Sequence, residues 1–161
     1  MTDASPAVQL RPMRPDELPA FMEHSIVSYA HGIETQGGQT AEFARQKSEE
    51  DHAAILPDGL DTPGHTLWVV EAGGERVGLL WLAERDSGGR RVIFIYDVEI
   101  DDAHRGKGYG RAAMELAEEQ ARLRGIGRIE LNVFGGNEVA RKLYLSLGYV
   151  ETSVQMAKDL A

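Results

Sequence analysis

A glycine-rich run lies between two segments of different periodicity. Residues 91–100 are apolar and β-branched like a strand, whereas residues 111–124 place Ala113, Leu116, Ala117 and Ala121 on one face of a helix. Between them, residues 105–110 read Arg-Gly-Lys-Gly-Tyr-Gly. Glycines allow positive φ and close approach of the backbone to a ligand. The following helix would point its free N–H groups and the positive end of its dipole at this loop. The run therefore predicts a diphosphate-binding loop at a strand-to-helix junction.

The remaining sequence predicts a mixed α/β sheet with helices on both faces. Hydrophobic spacing predicts a helix that starts near Pro15 and is broken by the stretch from His31-Gly32 to Gly37-Gly38. The predicted strands are residues 8–11, 66–71, 77–84, 91–100, 128–134 and a final extended segment, 149–158. The further predicted helices are residues 40–56, 111–124 and 137–147. The three central strands are separated by Gly-Gly turns, so we expect them to be antiparallel.

Composition limits the classes of function. The 161 residues fit a single domain, 1–161, with a helical region at 1–64 before a core at 65–161. The net charge of −9 argues against nucleic acid as the main partner. There is no cysteine, and the five histidines are scattered, so we expect no metal site. The sequence shows no secretory signal and no membrane-spanning run, and we expect a cytoplasmic protein with no membrane partner.

Two other readings of the loop fit its surroundings poorly. Gly108-x-Gly110-x-x-Ala113, with Glu130 further on, formally matches a dinucleotide-binding fingerprint. That fingerprint normally opens a series of βα units, whereas here three antiparallel strands precede it and about fifty residues follow. A nucleotide-hydrolase phosphate loop is excluded because Lys107 is not followed by Ser or Thr.

Two sequence blocks together resemble the GCN5-related N-acetyltransferase (GNAT) family. The first is Ile95-Tyr96-Asp97-Val98-Glu99-Ile100, then four residues, then Arg105-x-x-Gly108-x-Gly110. The second runs from Asn137 to Tyr149 and is similar to the family's Asn-x-x-Ala-x-x-x-Tyr…Leu-Gly-Phe signature, with Tyr149 as the last aromatic residue. The resemblance covers residues 66–158 strongly and the N-terminal part by element order only.

The resemblance implies a fold and a cosubstrate. In this family a mostly antiparallel sheet splays into a V, and acetyl-CoA lies in the gap between the strand ending at Ile100 and the strand at 128–134. Val98 and Ile100 would pair with the pantetheine arm through their backbone. The diphosphate would be held by a group of residues that continues into the next helix: Arg105, Gly106, Lys107, Gly108, Tyr109, Gly110 and Arg111. Asn137 would also contact the cosubstrate. Family members often dimerise, so a homodimer is compatible with the resemblance.

The resemblance also assigns chemical roles. Tyr144 matches the family's acid, which protonates the departing thiolate, and a phenol is protonated at neutral pH. The general base is open between Asp97 and Glu99, because the family carries a bulge in this strand and alternation alone does not decide which side chains face the cleft. Without cysteine there is no acetyl-thioenzyme, so transfer should be direct, in a ternary complex.

The acceptor is predicted only as a class. Residues 31–61 contain seven acidic residues and only two basic ones, Arg45 and Lys47. This acidic segment either attracts a cationic amine or is simply a solvated acidic face. We expect the acceptor to be a small amine or a protein amino group. The alternatives are a non-catalytic acyl-CoA-binding sensor and a dinucleotide-binding oxidoreductase.

Overall fold

Five strands form one sheet in chain order in the computed structural model, which describes residues 5–161. They are β1 Gln9–Pro12, β2 His65–Ala72, β3 Glu75–Ser87, β4 Arg90–Ile100 and β5 Ile129–Leu131. The first four strands are antiparallel neighbours, and β5 alone runs parallel to β4. This confirms the predicted mixed α/β architecture with a mostly antiparallel sheet.

Helices cover both faces of the sheet. They are α1 Leu18–Gly37, α2 Ala41–Ile55, α3 Tyr109–Leu123 and α4 Glu138–Ser146. On one face, Phe21 of α1 packs against Leu79 and Trp81 of β3. On the other, Met114 and Ala117 of α3 pack with strand residues such as Leu80. No helix within residues 5–161 is long and apolar enough to cross a lipid bilayer.

Helix α1 is longer than predicted, because it continues through His31 and Gly32 to Gly37. A Cβ at Gly32 would lie 2.2 Å from Cε2 of Phe134, so the absence of a side chain makes room for the aromatic ring. Gly32 does not form a turn. The helix ends instead at Gly38, which has a φ of 67°. The predicted break at Gly32 is therefore wrong, and Gly32 is a packing residue.

The C-terminal third departs from the prediction in two places. Strand β5 covers only Ile129–Leu131, whereas a strand over 128–134 was expected. Residues 149–158 pair with no strand of the described chain, so the prediction of a final strand is wrong for the single chain. Helix α4 begins after Asn137, as predicted.

Candidate active site

Strands β4 and β5 separate partway along their length. They pair only from Ile93 to Ile95 against Ile129–Leu131. Strand β4 then continues for five residues to Ile100, whereas β5 has ended. The separation opens a gap on the β5 side of β4, at the position where the family resemblance implies a V-shaped gap.

The backbone of β4 directs polar groups into this gap. The amide of Asp101 donates to the carbonyl of Val77 on β3 at 2.8 Å. Because successive residues of a strand direct their backbone groups to alternate sides, those of Val98 and Ile100 point away from β3. The Ile100 carbonyl already accepts a hydrogen bond from Nε of Arg105 at 3.0 Å. The structure thus brings both predicted backbone ligands to the open edge.

A bulge in β4 decides which side chains face α1. Leu82 is paired with Ile95 and Trp81 with Asp97, so Tyr96 is an additional residue between them. Tyr96 stacks on Trp81 with ring centroids 4.7 Å apart. Beyond the bulge, the alternation is reversed relative to residues 93–95. Asp97 and Glu99 consequently lie on the same face as their partners Trp81 and Leu79, beneath α1.

The two carboxylates on this face differ in their surroundings. Glu99 Oε1 lies 2.7 Å from Nε2 of His24 on α1, and Nη2 of Arg105 lies 3.9 Å from the same oxygen. Burial and the nearby negative charge of Glu99 raise the pKa of Asp97 to about 7, although His24, Ser25 and the Val98 amide act in the opposite direction. A carboxylate with this pKa can accept or release a proton near neutral pH.

Tyr144, the predicted acid, is contributed by α4. Its side chain is half-buried against the α3-side core, with its ring 6.0 Å from that of Tyr149. Burial, and secondarily the charge of Asp97, raise the pKa of Tyr144. The raised pKa keeps the phenol protonated, as a proton donor must be.

The glycine-rich loop has the backbone geometry that the sequence indicated. Gly106 and Gly108 have φ values of 76° and 85°, and Gly108 is the N-cap of α3. The first N–H groups of α3 are unsatisfied within the helix, as at every helix start. A Cβ at Gly110 would lie 3.4 Å from Cδ2 of Leu143, so α3 starts close against α4. Backbone donors therefore converge next to the gap.

The cationic side chains at this loop differ in whether they already have a partner in the chain. Arg105 Nη1 is paired with Asp102 at 3.0 Å, and Arg111 Nη2 donates to Oγ of Ser146 at 2.7 Å. Lys107 is exposed and makes no salt bridge within residues 5–161. The ring of Tyr109 packs against the α3-side core, which leaves its backbone amide as its contribution to the loop. Lys107 is thus the cation most available to an anionic ligand.

Asn137 has a structural role as well as its predicted binding role. Its Oδ1 accepts a hydrogen bond from the Ala140 amide at 3.3 Å and caps α4. The side-chain NH₂ group makes no hydrogen bond within the described chain and is available as a donor. Residues 5–161 contain no cluster of three or more His, Asp or Glu side chains arranged like a metal site.

Sequence reasoning missed the polar residues that α1 and α2 bring to β4. The five histidines are scattered along the sequence, yet His24 contacts Glu99. His52 is buried, with Nε2 2.9 Å from Oγ of Ser25 and Nδ1 2.8 Å from the Ser48 carbonyl. That carbonyl can only accept, so Nδ1 carries a proton. Of these contacts, the sequence shows only the four-residue separation of Ser48 and His52, which lie one helical turn apart.

Comparisons with known proteins identify the fold and the chemistry in general terms. The Acetyltransferase (GNAT) family matches residues 33–149. The uncharacterized N-acetyltransferases YycN and YdgE of Bacillus subtilis are 34% and 36% identical, over 95% and 96% of this chain and 99% of each relative. The mycothiol acetyltransferase of Propionibacterium freudenreichii is 30% identical over 92% of this chain but 45% of its own length. The crystal structure of YycN superposes with a TM-score of 0.91 over 96% of this chain and 99% of its own. The chain therefore belongs to the GNAT family and is an acetyltransferase.

Proposed function

We propose that the enzyme binds acetyl-CoA in the gap between β4 and β5 and transfers the acetyl group directly to a primary amine. The observation that carries the proposal is the gap between β4 and β5, which leaves the end of β4 unpaired beside the positive-φ glycines that precede α3. Strand β4 also carries Asp97, whose pKa is raised to about 7 by burial and by the charge of Glu99. Aminolysis of a thioester requires a base for the amine proton and an acid for the departing thiolate, and we assign these roles to Asp97 and Tyr144.

The cosubstrate would lie along the free edge of β4. The backbone groups of Val98 and Ile100 would pair with the amides of the pantetheine arm, as an added strand would. The amides from Gly106 to Arg111 and the side chain of Lys107 would hold the diphosphate. The NH₂ group of Asn137 would donate a further hydrogen bond to the pantetheine arm.

The reaction then needs no covalent enzyme intermediate. The amine nitrogen attacks the thioester carbonyl carbon, and its proton passes to Asp97 directly or through water. Glu99, which His24 orients, is the alternative acceptor of that proton. As the carbon–sulfur bond breaks, the hydroxyl of Tyr144 gives its proton to the thiolate, and the phenolate regains a proton from solvent.

The acceptor that we propose is a small cationic amine or a protein amino group. A cavity of about 170 Å³ next to the carboxylate of Glu99 supports this proposal, because Asp101 and Asp102 also line it. The name of the mycothiol acetyltransferase relative favours a small molecule. Arg76 and Arg105 at the cavity pair with Asp101 and Asp102, so part of the acidic charge is already neutralised.

Ligand-induced stabilisation separates this function from its alternatives. Acetyl-CoA at a hundred times its dissociation constant should stabilise the protein by about 2.7 kcal/mol, whereas NAD(H) and NADP(H) should not. Stabilisation by the dinucleotides alone would indicate an oxidoreductase. Stabilisation by acetyl-CoA without release of free thiol in the presence of any amine would indicate a sensor.

Steady-state kinetics test direct transfer and the role of Tyr144. We expect intersecting lines in a two-substrate initial-rate plot, and parallel lines would contradict a ternary complex. Tyr144→Phe should lower kcat by roughly 10²–10⁴-fold and keep the thermal shift caused by acetyl-CoA, because only the proton donor is lost. Tyr149→Phe is the matched control: its ring is 6.0 Å away in the same core, and kcat should not change.

A further inference from the structure

Arg85 on β3 is an exposed cation that makes no salt bridge within residues 5–161. Its guanidinium carbon, Cζ, lies 4.3 Å from the centre of the Phe94 ring and 5.8 Å from that of the Tyr96 ring. These cation–π contacts hold the group over β4. Its five N–H donors have no hydrogen-bond acceptor in the same residues, and their planar arrangement matches a carboxylate. Arg85 is therefore an anion-binding group in a defined position.

The acidic residues near Arg85 are engaged elsewhere. Glu84 and Asp86 are its chain neighbours, so their side chains lie on the opposite face of β3. Glu84 is paired there with two other arginines, and Asp86 accepts a hydrogen bond from a turn amide at 2.9 Å. Glu130, which lies beside Phe94 in the sheet, is paired with Arg128 at 2.7 Å. These neighbours leave the positive charge of Arg85 available to a ligand.

His65 on β2 places a second donor beside the Tyr96 ring. Nε1 of Trp81 donates to Nδ1 of His65 at 3.0 Å, so Nδ1 carries no proton and Nε2 carries one. The ring of His65 lies 5.4 Å from that of Tyr96, and its Nε2–H has no acceptor in the described part of the chain. Burial, and secondarily the charge of Arg85, lower the pKa of His65, which keeps the ring neutral. One charged and one neutral donor therefore lie on either side of Tyr96.

These donors lie on the face of the sheet that carries Asp97. Arg85 is four residues from Trp81, the register partner of Asp97, so both side chains point to the same face of β3. The guanidinium lies over Phe94, whose register partner Ala83 is two residues from Trp81. Two residues of a strand span roughly 7 Å, which is the separation of the guanidinium and Asp97 along the strand. One ligand can reach both groups if its ends are about this far apart.

We infer that the acceptor amine carries a carboxylate at its other end, and that Arg85 binds this carboxylate with His65 as the second donor. The inference rests on the proposed function, which places the amine at Asp97. A single guanidinium balances one negative charge, so a carboxylate fits better than a phosphate dianion. An α-amino acid is too short, because only one carbon separates its charged groups. A linear ω-amino acid of about six carbons has the required length.

Acceptor kinetics with two matched amines test the inference. 6-Aminohexanoate and 6-aminohexan-1-ol have the same chain, and only the first carries a carboxylate. The wild-type kcat/KM should be roughly 10–100-fold higher for 6-aminohexanoate, as expected for a hydrogen bond between charged groups. Arg85→Gln should bring this ratio close to one. The control, Arg91→Gln, removes the same charge on the opposite face of the same hairpin and should keep the wild-type ratio.

Binding of hexanoate, which has the carboxylate but no amine, tests the site without acetyl transfer. Hexanoate should compete with 6-aminohexanoate, and its inhibition constant should rise roughly tenfold or more in Arg85→Gln. Retention of the thermal shift caused by acetyl-CoA would show that each variant is folded. Equal wild-type kcat/KM for the two amines, or a ratio that survives Arg85→Gln, would overturn this inference alone. If no amine released free thiol, the proposed function would fail, and the inference would fail with it.

Discussion

Asp97 and Glu99 are two residues apart on the same face of β4, but they have different chemistry. Glu99 has a direct partner in His24. For Asp97, burial and the negative charge of Glu99 outweigh the groups that lower its pKa, and they raise that pKa to about 7. Proton transfer is most effective when the pKa of the base lies near the working pH. Asp97 therefore suits the role of the base, whereas Glu99 adjusts the pKa of Asp97 and holds His24.

The pH dependence of kcat/KM follows from this difference. The base works only when it is deprotonated, so the wild-type rate should rise with pH through about 7, the pKa of Asp97. Asp97→Asn should lower kcat/KM and remove this rising limb. Glu99→Gln should keep the limb but move it to lower pH, because loss of a neighbouring negative charge favours ionised Asp97. An Asp97→Asn enzyme with an unchanged limb would place the titrating group elsewhere.

Among the elements, α1 contributes most to the site. Its first half brings His24 and Ser25 to the carboxylates of β4, and its second half docks on the loop after β5. There Gln36 Oε1 accepts from the Gly136 amide at 2.6 Å, and Tyr29 packs against Phe134 with ring centroids 6.1 Å apart. The helix thereby links the two walls of the gap.

Two glycines of α1 make a matched test of this docking. A Cβ at Gly32 would lie 2.2 Å from the ring of Phe134, so Gly32→Ala should destabilise the protein by about 1–3 kcal/mol. At Gly37 the nearest atoms would be 3.8 Å and 4.0 Å away, and Gly37→Ala should be neutral or should stabilise by up to about 1 kcal/mol. Urea unfolding measures both variants. Equal effects at the two positions would contradict the close contact of α1 with Phe134.

Elements defined by local patterns were predictable from the sequence, and long-range contacts were not. Thr40 caps α2 at the predicted start of that helix, and Gly108 caps α3, which begins at Tyr109 rather than at the predicted Arg111, because capping depends on neighbouring residues. The extra residue at Tyr96 depends on the register with β3, so alternation alone could not place Asp97. Gly32 looked like a helix break because its partner, Phe134, is far away in the sequence. The pairing of His24 with Glu99 left no local signal for the same reason.

For the whole molecule, the net charge of −9 contrasts with the cationic loop at the gap. Part of the acidic charge around α2 is neutralised locally, since Arg45 pairs with Glu23 and Glu49, and Lys47 pairs with Asp51. Five acids of residues 31–61 are without a salt bridge in the part of the chain that the structure describes, and are free to act at long range: Glu34, Glu42, Glu50, Asp58 and Asp61. The field over this side of the protein is therefore negative, which favours approach of a cation.

The salt dependence of KM tests whether this field acts on the acceptor. For a polyamine, KM should rise several-fold between roughly 20 and 200 mM salt, with kcat unchanged, because salt screens exposed charges beyond about 10 Å. A monoamine of similar length should show a smaller rise, since it carries less charge. Replacing Glu34 and Glu42 by Gln should flatten the polyamine curve, whereas the same change at Glu115 and Glu119, two exposed acids of α3, should not. A KM that is independent of salt for both amines would mean that these acids form only a solvated face.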